Sequence, residues 1–196
     1  MKIVSLKNAL MHFMILSTAL FYLSACGETK PVDTKKLSNQ ENDARIDEHS
    51  KEKDAQFMVD AAAMNLEVTQ LSLLAQQKGA MADVKDLAII EESVHDRAMK
   101  DLVALANKKV MNIPTTSTNE AQEAYDKMNG MSGTEFDKEF CKRMIDLHQD
   151  MISKFEKASK DATDNDIKDW ARGMIPGLQQ HLEQAKACQT KLNDLS

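Results

Sequence analysis

Apolar residues recur every three or four positions along four long stretches of the chain, the spacing of one face of an α-helix. The first stretch covers 57–75 and ends before Gly79. The second covers 84–105, and its apolar stripe also contains Glu91 and His95. The short break at Gly79 predicts that these two helices form an antiparallel pair.

Two further stripes follow later in the chain. The third predicted helix begins near residue 134 and carries His148 within its stripe, and the fourth begins near 165 and carries His181. Pro176 lies inside the fourth helix, where it removes a backbone hydrogen-bond donor and predicts a kink or local bulge. Both stripes have the alternating spacing of the seam of a helical bundle.

The segment 110–133 separates the second helix from the third. Near its start it contains Pro114 followed by threonines, near its end it contains two glycines, and between them lies a short amphipathic stretch at 120–128. We therefore predict an all-α fold, a ferritin-like four-helix bundle with one long crossover between helices 2 and 3 and a short crossover helix. The alternative is an up-down bundle with a long loop, which is an uncommon feature of compact domains.

Composition supports a helical chain. Only 5% of the 196 residues are aromatic, and the chain has six glycines and three prolines, too few turn signals for a sheet-based fold. The chain contains no GxGxxG, Walker, CxxC or GxSxG motif, so these routes to nucleotide, redox or serine hydrolase chemistry lack support. No nucleophile with a plausible base is evident, and we predict a binding protein rather than an enzyme.

The start of the chain has the features of an export signal. Two lysines precede an apolar stretch at 9–23, which is too short to span a bilayer. The ending Leu23-Ser24-Ala25-Cys26 resembles a bacterial lipobox, so Cys26 is the predicted lipidation site. The predicted organisation is a signal peptide at 1–25, a lipidated cysteine with a disordered tether at 26–53, and a bundle domain at 54–196.

Charge and anchor together predict a location. Removal of Lys2 and Lys7 with the signal leaves 23 basic against 31 acidic residues, a net charge near −8. Such a surface does not favour nucleic acid. The expected partner is the membrane, held through the lipid anchor, and the expected site is the cell envelope, at the periplasmic face of the outer membrane. The sequence leaves room for an envelope protein partner and does not indicate an oligomeric state.

Three histidines occupy the apolar stripes of helices 2, 3 and 4. In an antiparallel pair, residues at one level have a constant sum of residue numbers. His148 and His181 have the same sum as Cys141 and Cys188, so the two histidines can face each other. The same rule applied to the first pair places Glu67 opposite His95. We therefore predict a metal site made of Glu67, His95, His148 and His181, with Glu92 as a further candidate ligand because Glu92-x-x-His95 resembles half of a di-iron motif.

Imidazole and carboxylate ligands suit zinc, iron or manganese. Met144 and Met151 share a face with His148, and thioether sulfur is a ligand of copper, so copper is a further but less favoured candidate metal. Methionine stripes are more commonly part of the hydrophobic core. The alternative is a metal-free module, structural or protein-binding, in which the histidines and Glu67 form a buried polar network.

Two cysteines remain after lipidation of the third. Cys141 and Cys188 obey the same level rule as the histidine pair, and an oxidising compartment favours a disulfide between them. The alternative is two small apolar residues of the core.

Several motifs resemble one family of bacterial envelope proteins, known as domain of unknown function 4142. The resemblance covers residues 54–190 and implies a ferritin-like bundle, secreted or lipid-anchored, without an agreed activity. The family usually has Asp-His in helix 2, where this chain has Val94-His95, so no ligand role follows for position 94. The motifs are Phe57-Met-Val-Asp-Ala-Ala-Ala-Met-Asn-Leu-Glu67-Val, Pro114-Thr, Ser132-Gly-Thr-Glu-Phe136-Asp137, Met144-Ile-Asp-Leu-His148 and Ile175-Pro176-Gly-Leu-Gln-Gln-His181-Leu.

Overall fold

The structure, a computed structural model, describes residues 32–46 and 49–194. These residues lie within one unit, Pro31–Ser196, and the preceding unit, Met1–Lys30, lies outside the described part together with the predicted signal peptide and Cys26. The described part contains helices and no strands, so the all-α prediction is confirmed. Its helices are α1 (Thr34–Asp43), α2 (His49–Lys78), α3 (Ala82–Lys109), α4 (Asn119–Asn129), α5 (Gly133–Asp161) and α6 (Asn165–Asp194).

Two antiparallel helix pairs, α2 with α3 and α5 with α6, form the bundle. The turn between α2 and α3 depends on Gly79, because a Cβ atom at this position would lie 2.7 Å from the carbonyl oxygen of Ala75. Such a close approach to backbone leaves room for no other residue. A short turn of this kind fixes the register of the two helices and therefore the level at which their side chains meet.

Buried carboxylates tie the two pairs together at both ends of the bundle. At one end Asp137 of α5 accepts hydrogen bonds from the backbone N–H groups of Ala80 (2.9 Å) and Met81 (2.8 Å) in the α2–α3 turn. At the other end Asp54 of α2 accepts one from Asp164 (2.8 Å) in the α5–α6 turn. The start of α5 therefore lies beside the start of α3, and these two helices run parallel.

A crossover along the outside of the bundle makes this parallel arrangement possible. After α3 ends, residues 110–118 lead into α4, which packs on α2 and returns the chain to the far end. Thr118 caps α4 by accepting a hydrogen bond from the Ala121 N–H group (3.2 Å). The short helix predicted at 120–128 is thus present at 119–129.

The segment predicted as a disordered tether is partly folded, which corrects the boundary at residue 53. α1 lies against α2, and α2 already begins at His49. Asn42 holds α1 to the crossover, since its amide donates to the Asn112 carbonyl (2.8 Å) and accepts from the Asn112 N–H group (2.8 Å). The attachment of α1 is therefore mainly polar, and a search for apolar periodicity does not detect it.

The core lies between the four long helices. The largest fully buried side chains include Phe136, Phe140 and Phe155 of α5, packed with leucine and methionine side chains from the other helices. Among the described residues, no helix combines the length and the apolar character needed to cross a bilayer. Within this core lies a small group of ionisable side chains, which forms the candidate site.

Candidate metal centre

Four buried polar side chains converge at the centre of the bundle. Glu91 and His95 come from α3, His148 comes from α5 and His181 comes from α6. One ligand atom of each lies within 4.8 Å of the ligand atoms of the other three. Glu91, His95 and His148 have no exposed surface, and His181 retains 6%. We call these four residues the centre.

The distances within the centre are short. Glu91 Oε2 lies 3.2 Å from His95 Nε2, 3.2 Å from His148 Nε2 and 3.5 Å from His181 Nδ1. The two Nε2 atoms lie 3.3 Å from each other. Three potential donor atoms for a metal therefore form a nearly equilateral triangle, with the His181 nitrogen slightly farther from the carboxylate.

The outer nitrogens of two histidines are held by neighbouring oxygens. Asn65 of α2 donates its Nδ2 to the Ala61 carbonyl (2.7 Å), which turns its Oδ1 toward His95 Nδ1 (2.9 Å). His148 Nδ1 lies 2.8 Å from the Met144 carbonyl oxygen. Because both oxygens only accept, each Nδ1 must carry the proton, and each Nε2 of a neutral ring then presents a lone pair to the centre.

The charges of the centre follow from burial and from contacts among its own members. Burial raises the pKa of the Glu91 carboxyl, but the adjoining His148 and His95 outweigh burial and bring this pKa to about 2. Burial also lowers the pKa of His95 and that of His181, which favours their neutral forms. The Glu91 carboxylate therefore lies ionised among the ring nitrogens, and neither of its oxygens has a hydrogen-bond donor of good geometry among the described residues.

Such an arrangement is suited to a cation. A buried carboxylate without donors is costly, and convergent lone pairs repel one another unless a positive charge lies between them. Four ligands at zinc bond lengths of about 2.0–2.2 Å, placed at the corners of a tetrahedron, lie about 3.3–3.6 Å apart. Four of the six separations in the centre, from 3.2 to 3.5 Å, are close to this range.

The three histidines of the sequence-based ligand set lie in the centre, but its carboxylate was assigned wrongly. Glu67 forms an ion pair with Arg143 of α5, at 2.7 Å from Nε and 2.5 Å from Nη2, away from the centre. Glu92 is half-buried and also lies outside the centre. The carboxylate is Glu91, whose position four residues before His95 puts both on the same face of α3.

Two further expectations can be compared with the structure. The predicted disulfide is not present: Cys141 and Cys188 are free thiols with sulfur atoms 2.9 Å apart, against about 2.05 Å for a bond. The level rule brought the right residues together, and their sulfur atoms lie close to each other without a bond. Met144, considered as a copper ligand, contacts His148 through its backbone carbonyl.

Comparisons with known proteins place the chain in a family without assigning a function. No curated protein and no solved structure matches the chain. A family model with the description "Domain of unknown function (DUF4142)" matches residues 39–188, which include α2 to α5, most of α6 and all four residues of the centre. The chain therefore belongs to the DUF4142 family.

Proposed function

We propose that this domain binds one divalent transition-metal ion through Glu91, His95, His148 and His181. One observation carries the proposal: the Nε2 atoms of two buried histidines and a carboxylate oxygen lie within 3.3 Å of one another, while fixed acceptors hold the ring protons on the far side. A metal ion satisfies all these lone pairs at once.

Zinc is the metal that the donor set favours. Three imidazoles and one carboxylate are ligands of zinc. Four of the six ligand-atom separations are close to the edges of a zinc tetrahedron, and the other two, which join His181 to the other histidines, lie within 4.8 Å. Iron and manganese accept the same ligand types, and copper would use the imidazoles. Because four protein ligands fill a tetrahedral site and leave no open position for a reacting molecule, we propose binding rather than catalysis.

We also propose that the domain acts in the cell envelope as a lipid-anchored protein. The support lies in the sequence: a charged start, a short apolar stretch and Leu-Ser-Ala before Cys26. Radiolabelled palmitate should enter the wild-type chain and should not enter Cys26→Ser. Equal labelling of the two would contradict the anchor and leave metal binding untouched.

Metal analysis of the purified full chain tests the main proposal. The chain is equilibrated with Zn²⁺, Fe²⁺, Mn²⁺ and Cu²⁺ in separate samples, desalted, and analysed by mass spectrometry for metal per chain. We expect about one zinc per chain in the wild type and none in His148→Ala, with helical circular dichroism retained. Glu92→Gln is the matched control, because it changes a neighbouring carboxylate outside the centre and should keep its zinc.

The opposite result would favour the metal-free interpretation. If the wild type takes up no more of any metal than His148→Ala does, the four residues are a hydrogen-bonded core network. The domain would then be a structural or interaction module of the envelope.

A further inference from the structure

His181 differs from the other three residues of the centre in its surroundings. Its Nδ1 atom has no hydrogen-bond partner, and it lies farther from Glu91 Oε2 than either Nε2 atom does. It is also the member with the largest exposed side-chain fraction, 8% against 1% or less. His95 and His148 each have a hydrogen bond from Nδ1 to a fixed oxygen, which orients their rings. Their positions beside Glu91 are therefore more firmly fixed than that of His181.

The helix that carries His181 is weak immediately before it. Gly173, Pro176 and Gly177 lie within five residues of one another in α6. A Cβ atom at either glycine would meet nothing within 4 Å, so close packing does not require glycine at these positions. Glycine in an exposed helix lowers helix stability, and Pro176 leaves the Arg172 carbonyl without its usual helical donor.

We propose that His181 is a swinging ligand, carried by a hinge at 173–177 in α6, through which the centre loads and releases its ion. This inference rests on the proposed metal function. Glu91, His95 and His148 hold the ion when His181 moves away, and the open coordination position then accepts a small chelating donor from solution. The neutral imidazole leaves as an intact ligand, and the exchange needs no covalent step.

Rates of zinc release separate this inference from the proposed function. Zinc-loaded full chain is mixed with excess 4-(2-pyridylazo)resorcinol, and the coloured zinc complex is followed by stopped flow. The hinge variant is Gly173→Ala with Gly177→Ala, and Gly130→Ala at the end of α4 is the control for the same chemical change outside α6.

The swinging ligand predicts opposite effects for the two kinds of variant. The hinge variant should release zinc up to about 30-fold more slowly, the product of two glycine-to-alanine gains in helix stability, and Gly130→Ala should match the wild type. His181→Ala should still bind one zinc per chain but release it at least about tenfold faster, and added imidazole should slow the release.

Each contrary outcome identifies which idea fails. If the hinge variant releases zinc at the wild-type rate, the hinge is wrong, and because added alanines strengthen a solvent-facing helix this variant is expected to fold. If His181→Ala is as free of zinc as His148→Ala, then His181 is a fixed ligand and not the swinging one. A wild type that binds no zinc overturns the proposed function itself.

Discussion

Replacing Glu91 by glutamine distinguishes a metal centre from a polar network, because the two interpretations predict opposite changes in stability. Glutamine has the shape of glutamate without the charge, and its amide can place an NH2 group where Oε2 lies, 3.2 Å from both His95 Nε2 and His148 Nε2. In the metal-free chain this NH2 group supplies the donors that the two nitrogens lack. Glu91→Gln should therefore stabilise the domain when metal is removed.

The distances set the size of the effect. The three separations of 3.2, 3.2 and 3.3 Å mean that the two acceptors subtend about 60° at Oε2, whereas the N–H bonds of an amide diverge by about 120°. Both hydrogen bonds are thus bent, and each contributes about 0.5 kcal/mol, at the low end of the usual range. A gain of about 1 kcal/mol raises the melting temperature of a domain of this size by about 2–4 °C.

Zinc should make the wild type more stable than Glu91→Gln, the reverse of the order expected without metal. At free zinc about 100-fold above the dissociation constant, binding stabilises the wild type by about 2.7 kcal/mol. The Glu91→Gln variant loses the anionic ligand and should gain much less. The test is thermal denaturation, with EDTA and with zinc, of the wild type, Glu91→Gln and the matched control Glu92→Gln. Glu91→Gln should melt above the wild type in EDTA and below it in zinc, and the control should follow the wild type in both conditions.

A contrary result in EDTA would refute this reasoning. If Glu91 is paired with a protonated histidine in the metal-free chain, glutamine breaks a buried ion pair and destabilises the domain by about 3–5 kcal/mol. Loss of stability of that size in EDTA, with zinc changing the melting temperature of neither the wild type nor the variant, would establish the polar network in place of the metal centre.

Two other predictions concern Asn65, which contacts the centre, and the Glu67–Arg143 ion pair, which lies away from it. Asn65→Ala removes the acceptor of the His95 ring proton and should weaken zinc binding about 10–100-fold in a chelator competition. The control is Ser72→Ala, which removes a buried, unpartnered hydroxyl from the same helix and should leave zinc affinity unchanged. Equal zinc affinities of Asn65→Ala and the wild type would contradict the positioning role of Asn65. Burial raises the pKa of Glu67 and Arg143 partly offsets this, so Arg143→Ala raises that pKa further. A raised carboxyl pKa in the folded state means that stability falls as pH rises from about 4.5 through the folded pKa. Arg143→Ala should therefore lower the free energy of unfolding, measured by urea denaturation, by on the order of 1–2 kcal/mol, and by more at pH 7 than at pH 4.5. The same substitution in a Glu67→Gln background should show no such pH dependence.

The helices and their pairing could be predicted from the sequence because they depend on short-range rules. Apolar periodicity identified the four long helices, and the short turn at 162–164 fixed the register of α5 and α6. This register brought His148 and His181 to one level, and likewise the two cysteines. Whether two thiols at one level form a disulfide depends on side-chain geometry and on oxidation, neither of which residue numbering contains.

The wrong carboxylate shows what the level rule omits. It gives the height of a residue along a helix and not the direction in which its side chain points. Glu67 is two positions from Asn65, a rotation of about 200° around α2, so it faces Arg143 on α5 when Asn65 faces the centre. A signal for the correct residue was present, because Glu91 is a charged side chain inside an apolar stripe, one turn before His95.

The folded segment before α2 was missed for a different reason. α1 has few apolar residues, and its buried side chains are Ser38 and Asn42. Its stability comes from long-range hydrogen bonds to the crossover, which no local pattern encodes. A local signal existed in Asp33, whose side chain accepts hydrogen bonds from the Lys35 and Lys36 N–H groups in the first turn of α1, as an N-cap residue does.

The position of the centre relates metal binding to the way the bundle holds together. Glu91 and His95 belong to the α2–α3 pair, whereas His148 and His181 belong to the α5–α6 pair, and the long crossover is the covalent link between the two pairs. An ion bound by all four would join the pairs at mid-height, between the carboxylate contacts of Asp137 and Asp54 at the two ends. Because binding free energy adds to the stability of the folded state, the bound ion would hold α6 in place at the turn where its glycines and proline weaken it.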